Sequence, residues 1–119
     1  MRSKIKKLKP KGDLLKRLRK QSQRRALEWR KGAPEAPTSF NAIELFGEVG
    51  ELCNAIKKLL RHEMGFVGGS PDTTNLEEEI GDVAICLDLL AVRYNIDLGK
   101  AITKKFNKTS EKHGFKTRL

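Results

Sequence analysis

Two groups of carboxylates stand at helical spacing in this chain. Glu44, Glu48 and Glu51 occur at i, i+4 and i+7, and Glu79 and Asp82 at i, i+3 with Glu78 beside them. At about 100° per residue each group falls on one stripe of a helix. Acids on a helix ordinarily form a solvated face laced with salt bridges, but here the pairing positions hold no cation. The residues three and four away from Glu48, Glu51, Glu79 and Asp82 include no Lys or Arg, although the chain has 25 of them in 119 residues. Like charges at these spacings destabilise a helix by about 0.2–0.5 kcal/mol per pair. Partial burial adds to that cost and drives carboxylate pKa values upward. A hard divalent cation held by oxygen ligands removes the penalty, and Mg²⁺ favours a few carboxylates together with waters and phosphate oxygens. Two antiparallel helices facing Glu48/Glu51 against Glu79/Asp82 would build such a site.

The elements that must position these acids are all helical. Asp13 is a candidate N-cap for a weakly amphipathic helix to about Lys31, with Leu14, Leu15, Leu18, Leu27 and Trp29 as its apolar residues. Gly32-Ala-Pro-Glu-Ala-Pro37 breaks the chain. Ser39 then caps a helix over roughly 40–63, with Ile43, Phe46, Val49, Leu52, Cys53, Ile56, Leu59 and Leu60 as its core face. The acid stripe points away from the Val49/Ile56 side. Gly65 to Pro71 forms a loop, and Thr74-Asn-Leu-Glu77 has capping-box spacing. A third helix runs from there to about Tyr94, with Ile80, Val83, Ala84, Leu87, Leu90 and Ala91 inward and its acids at the flank. Asp97 caps a fourth helix that stops near His113, with Gly114 beyond it. No stretch alternates with period two, so the fold class is all-α, a four-helix-type bundle. Gly47, Gly50 and Gly81 each sit beside an acid inside a helix, at a cost of about 1 kcal/mol relative to Ala. They imply close helix approach or room for a ligand.

The segment Gly47-Glu-Val-Gly-Glu-Leu52, followed by Glu79-Ile-Gly-Asp-Val83, resembles the ExxE…ExxD signature of MazG-like nucleoside triphosphate pyrophosphohydrolases. Asn41 and Ile96-Asp-Leu98 fit the same pattern, which is similar to the dCTP pyrophosphatase branch. The resemblance covers about Trp29 to His113. It implies that Glu48, Glu51, Glu79 and Asp82 ligate Mg²⁺, with Mn²⁺ as a substitute. The reaction it implies is hydrolysis of a nucleoside triphosphate, a dNTP by preference, to the monophosphate and pyrophosphate. Glu48, or else Glu51, would activate the water. On the last helix Lys105 matches the family's phosphate-binding Lys, whereas Thr109 or Ser110 and His113 stand where Asn and Tyr are expected. Asn41 and Trp29 are candidate base or sugar contacts, and packing is the alternative for Trp29.

Charge divides the chain. Residues 1–31 hold 14 Lys or Arg against Asp13 and Glu28, a balance of +12, so residues 32–119 carry −2 of the net +10. The expected organisation is a basic arm and helix over 1–31 and a catalytic helical domain over 32–119. A basic arm of this density could bind nucleic acid through its phosphates, which is the alternative function. With 6% aromatic residues, stacked aromatic platforms are a poor basis for it. No apolar run is long enough for a membrane span, and no hydrophobic segment follows the basic start as in a secretory signal. Poverty in acids leaves a transit-peptide role open for the arm. Cys53 and Cys86 lack a CxxC or Cys/His neighbourhood and are expected to be reduced, half-buried packing residues. The default location is cytoplasmic. With 38% hydrophobic residues the core is modest, and a homodimer, or a homotetramer, is expected to complete it.

Overall fold

A computed structural model describes residues 13–119, so the basic tail over 1–12 lies outside the described residues. Those residues form four helices and no strand: α1 (Leu14–Arg30), α2 (Thr38–Glu63), α3 (Thr74–Arg93) and α4 (Leu98–Lys112). The all-α expectation holds, and no described helix is long and apolar enough to cross a membrane. The long antiparallel pair α2–α3 is the main packing unit; α1 lies against α3, and α4 against α1.

The ends of the helices follow local chemistry, with two departures from expectation. The Asp13 and Asp97 carboxylates accept from the backbone N–H of Leu15 and Lys100, at 3.0 and 2.9 Å, satisfying orphan donors of α1 and α4. Accepting the Lys100 N–H holds the Asp97 carboxyl below its usual range. Gly114, at φ 68°, takes the left-handed position that ends α4. By contrast, α2 starts at Thr38 directly after Pro37, so Ser39 is inside the helix and caps nothing. The first turn closes on the backbone instead, Phe40 N donating to the Pro37 carbonyl at 2.9 Å, with proline's fixed φ suited to a helix start. The capping box at Thr74–Glu77 does not form either. Thr73 holds the cap position without a side-chain bond, and Asp72 Oδ1 instead accepts from Thr74 N at 2.9 Å.

The seams differ from the expected core faces. On α2 the half-buried residues include Asn41, Leu45, Glu48, Leu52, Ala55 and Leu59, alternating four- and three-residue steps. On α3 the matching set is Leu76, Glu79, Val83, Cys86, Leu90 and Arg93. This heptad spacing keeps two antiparallel helices in register along their whole length. Of the expected α2 face, Leu52 and Leu59 lie in this seam, whereas Ile43, Phe46, Val49, Cys53, Ile56 and Leu60 form a second, exposed stripe, Phe46 to 73%. On α3, Ile80, Ala84 and Leu87 are exposed as well. Both stripes satisfy a 3.6-residue period, so periodicity merged them, and only the pairing of α2 with α3 separates them. Cys53, expected half-buried, is exposed on the outer stripe, while Cys86 is half-buried in the seam; both are free thiols.

A second covered set on α3 is half-buried Ile85, Leu89 and Val92 around Asp88, and α1, which packs on α3, has Leu15, Leu18, Ser22 and Ala26 as covered residues. Asp88 is the most buried side chain, at 1% exposure. Arg19 Nη2 reaches its Oδ1 at 3.3 Å and also donates to the carbonyl of Ile96, tying α1 to α3 and to the turn before α4. Loss of one partner of a buried ion pair is far more damaging than loss of both. Arg19→Met is therefore expected to destabilise the fold by about 3 kcal/mol, and Arg19→Met with Asp88→Leu to recover most of that. Urea unfolding midpoints of the three proteins check it.

Candidate metal and nucleotide site

The heptad seam that joins α2 to α3 places Glu48 and Glu79 at positions normally held by apolar residues. One carboxylate oxygen each from Glu48, Glu79 and Asp82 lies within 4.8 Å of the others. Glu48 and Glu79 are half-buried and Asp82 is exposed. Glu51, one turn further along α2, is exposed, and its carboxylate is not one of the three. Oε2 of Glu79 is buried with no hydrogen-bond partner among the described residues. A buried acceptor without a donor is costly unless a cation or water meets it. The oxygen-only donor set, its negative charge and this orphaned atom all suit a hard divalent ion.

Electrostatics bear out the crowding. Desolvation, together with the charges of Glu48, Asp82, Glu51 and Glu78, raises the Glu79 pKa above the ordinary carboxylate value. Glu44, preceding Glu48 on the same stripe, is raised by burial and by Glu48. The Cys86 thiol is pushed up to about 11 by burial and by Glu44, Glu48 and Asp82, with Arg25 of α1 acting in the opposite direction. Neither of the two ion pairs among the described residues, Arg19–Asp88 and Arg93–Glu35, involves these acids. A Cβ built at Gly47, Gly50 or Gly81 meets nothing within 4 Å. Close packing of α2 on α3 therefore does not account for these glycines, and open space lies beside the acids.

The other candidate residues do not gather at this cluster. Asn41 is on the same α2 stripe as Glu48, and its Oδ1 accepts from Arg93 Nη1 at 3.0 Å. Trp29, 79% exposed, is at the end of α1. Lys105 is on α4 and lines an open groove of about 690 Å³ with Ile102, Phe106 and Phe115. His113 is the C-terminal cap residue of α4, its ring stacked on Phe115 at 5.5 Å. Sequence reasoning missed Arg93 and Arg25. The signal for Arg93 was available, a cation at the last heptad position of the α3 seam. For Arg25 there was none, because its approach depends on how α1 crosses α3.

An all-α protein built on an antiparallel helix hairpin, with an acid cluster across the seam, is the class that these features define. The family model for the MazG nucleotide pyrophosphohydrolase domain matches residues 38–115. The chain belongs to that family. Neither the curated proteins nor the solved structures yielded a match.

Like-charge crowding at Glu79 has a direct consequence for stability. Glu79→Gln removes one negative charge from the cluster and supplies an N–H to its buried surroundings. In buffer containing EDTA this variant is expected to melt a few degrees above wild type. An unchanged or lower midpoint in circular dichroism would show that the cluster is not strained.

Proposed function

We propose that the protein is a Mg²⁺-dependent nucleoside triphosphate pyrophosphohydrolase, converting a (d)NTP and water to the (d)NMP and pyrophosphate. The observation that carries this reading is the convergence of Glu48, Glu79 and Asp82, with the buried, unpartnered Oε2 of Glu79 among them. Glu48, Glu51, Glu79 and Asp82 would hold the ion, with Mn²⁺ as an alternative. A bound Mg²⁺ supplies charge neutralisation on the phosphate oxygens and acidifies a coordinated water. Water attacks the α-phosphorus, the α–β bridging oxygen leaves with pyrophosphate, and a carboxylate takes the proton of the attacking water. Glu48 and Glu51 are the candidates for that proton. Glu51 suits the role because its carboxylate stands outside the group of three, free of full commitment to the ion. Lys105 would contact phosphate, and Asn41 and Trp29 the base or sugar. The substrate is a dNTP in this reading, and the role is house-cleaning of the nucleotide pool in the cytoplasm.

The same reading includes a homodimer, with a homotetramer as the larger alternative. Supporting it are the exposed apolar stripes, Phe46, Val49, Ile56 and Leu60 on α2 with Ile80 and Leu87 on α3, which a single chain leaves in water. A second copy laid on these stripes would complete the bundle. Leu87→Asp is expected to shift light-scattering mass from a multiple of 13.5 kDa to 13.5 kDa itself; a wild-type mass of one chain would refute the dimer.

Activity is tested by pyrophosphate release from a panel of dNTPs and NTPs with excess Mg²⁺, beside Glu48→Gln and Asp82→Asn. Each substitution is expected to cut kcat/KM by about a hundredfold or more, at least the loss seen when a ligand's support is removed. A folded wild type that hydrolyses no nucleotide would sink the enzyme reading.

A further inference from the structure

The cations of this chain are sorted by helix. α1 has seven Lys or Arg against Glu28, and α4 five Lys against Glu111, whereas α2 and α3 together have four Lys or Arg against nine acids. Packing runs from α2 to α3, from α3 to α1 and from α1 to α4, so the acid seam and the basic α4 stand at opposite ends of that order. On α1, Lys16, Lys20 and Arg24 follow one another at four-residue steps, and on α4 Lys100, Lys104, Lys108 and Lys112 do the same. All seven are exposed, on the sides away from the covered Leu18, Ser22 and Ala26 of α1 and the covered Asn107 and Ser110 of α4. At 1.5 Å per residue the two rows are about 12 and 18 Å long. They begin together. Gly99 of α4 lies against Leu15 of α1, and Lys16, Lys100 and Lys104 line one open pocket of about 540 Å³. The acids of that pocket, Asp13 and Asp97, are engaged in their cap bonds. Like charges at i, i+4 destabilise a helix, and none of the seven cations is in an ion pair among the described residues.

We infer that these two rows form a binding surface for the phosphate backbone of double-stranded nucleic acid. A line of separated, unpaired cations suits a linear polyanion, whose neutralisation by Lys and Arg releases condensed counterions. A lipid surface is the poorer partner. On α4, Ile102 and Phe106 line a groove on the side opposite the Lys row, so its cations and apolar side chains do not enter one bilayer face together. Neither row contains an aromatic residue on which an unpaired base could stack, which favours a duplex over a single strand. Contacts of this kind fix position without reading sequence. Residues 1–12, with six further Lys or Arg, join the fold at Asp13, where both rows begin. Nothing in this surface depends on nucleotide hydrolysis.

The test follows the fluorescence anisotropy of a labelled random duplex of about 20 base pairs, titrated with the full chain between about 50 and 200 mM salt. Wild type is expected to give a slope of log affinity on log salt of about −4 or steeper, since each phosphate contact contributes about −0.9. Lys104→Gln with Lys108→Gln should make that slope shallower by about two and weaken low-salt binding at least about tenfold. Lys20→Gln with Arg24→Gln should do the same from α1. Lys57→Gln with Lys58→Gln lowers the net charge equally but on α2, and should leave the slope unchanged. Circular dichroism checks the helices of each variant. No binding at the lowest salt overturns the inference, as do equal losses in all three double variants. Binding that survives both the α1 and the α4 variants would lie on residues 1–12 and overturns it too. A single strand of the same length and phosphatidylserine vesicles complete the panel, and tighter binding of either than of the duplex also overturns it.

Discussion

Negative charge placed in a helix–helix seam is the constraint on which the rest of this structure depends. Heptad packing of α2 against α3 sets Glu48 and Glu79 where coiled-coil helices ordinarily carry Leu or Val. Among the described residues neither acid has a cation to pair with, and one oxygen of Glu79 is buried with nothing to bond. A hairpin of this kind is held together by its apolar seam positions, Leu45, Leu52 and Leu59 against Leu76, Val83 and Leu90, while its middle opposes closure. A divalent ion bound there would change the sign of that middle section, and would thereby link ligand binding to hairpin stability.

The same hairpin also explains how little of the chain is buried. Beyond the seam and the face of α3 turned to α1, each long helix carries a further apolar stripe that no contact among the described residues covers. The outer stripe of α2, from Phe46 to Leu60, and that of α3, Ile80 to Leu87, remain in water. Supporting contacts come from α1, whose Arg19 reaches the buried Asp88 and the carbonyl of Ile96. A polar clamp of this kind contributes geometry more than net stability, since desolvating both charges offsets much of their attraction. It nevertheless fixes where α1 crosses α3, and so brings the charge of Arg25 to bear on the Cys86 thiol. Part of the basic character of residues 1–31 is therefore spent inside the fold and is not available to an outside polyanion.

Much of the candidate site was legible in the sequence, because the relevant physics is local. Helical spacing puts Glu48 with Glu51, and Glu79 with Asp82, and the absence of Lys and Arg one turn away needs no structure to see. The Asp13 and Asp97 caps, the Gly114 stop and the four helices follow from similarly short-range rules, and so does the all-α class. Tertiary structure alone decided three things. It chose which of two equally periodic stripes on α2 and α3 became the seam, since a 3.6-residue period cannot rank them. It drew Glu48, Glu79 and Asp82 into one group and left the Glu51 carboxylate outside. It also set Arg93 against Asn41, through an antiparallel register that joins residues 52 apart in the chain. Contacts at such separation depend on how whole helices face one another, and that is a property of the assembled pair rather than of either segment.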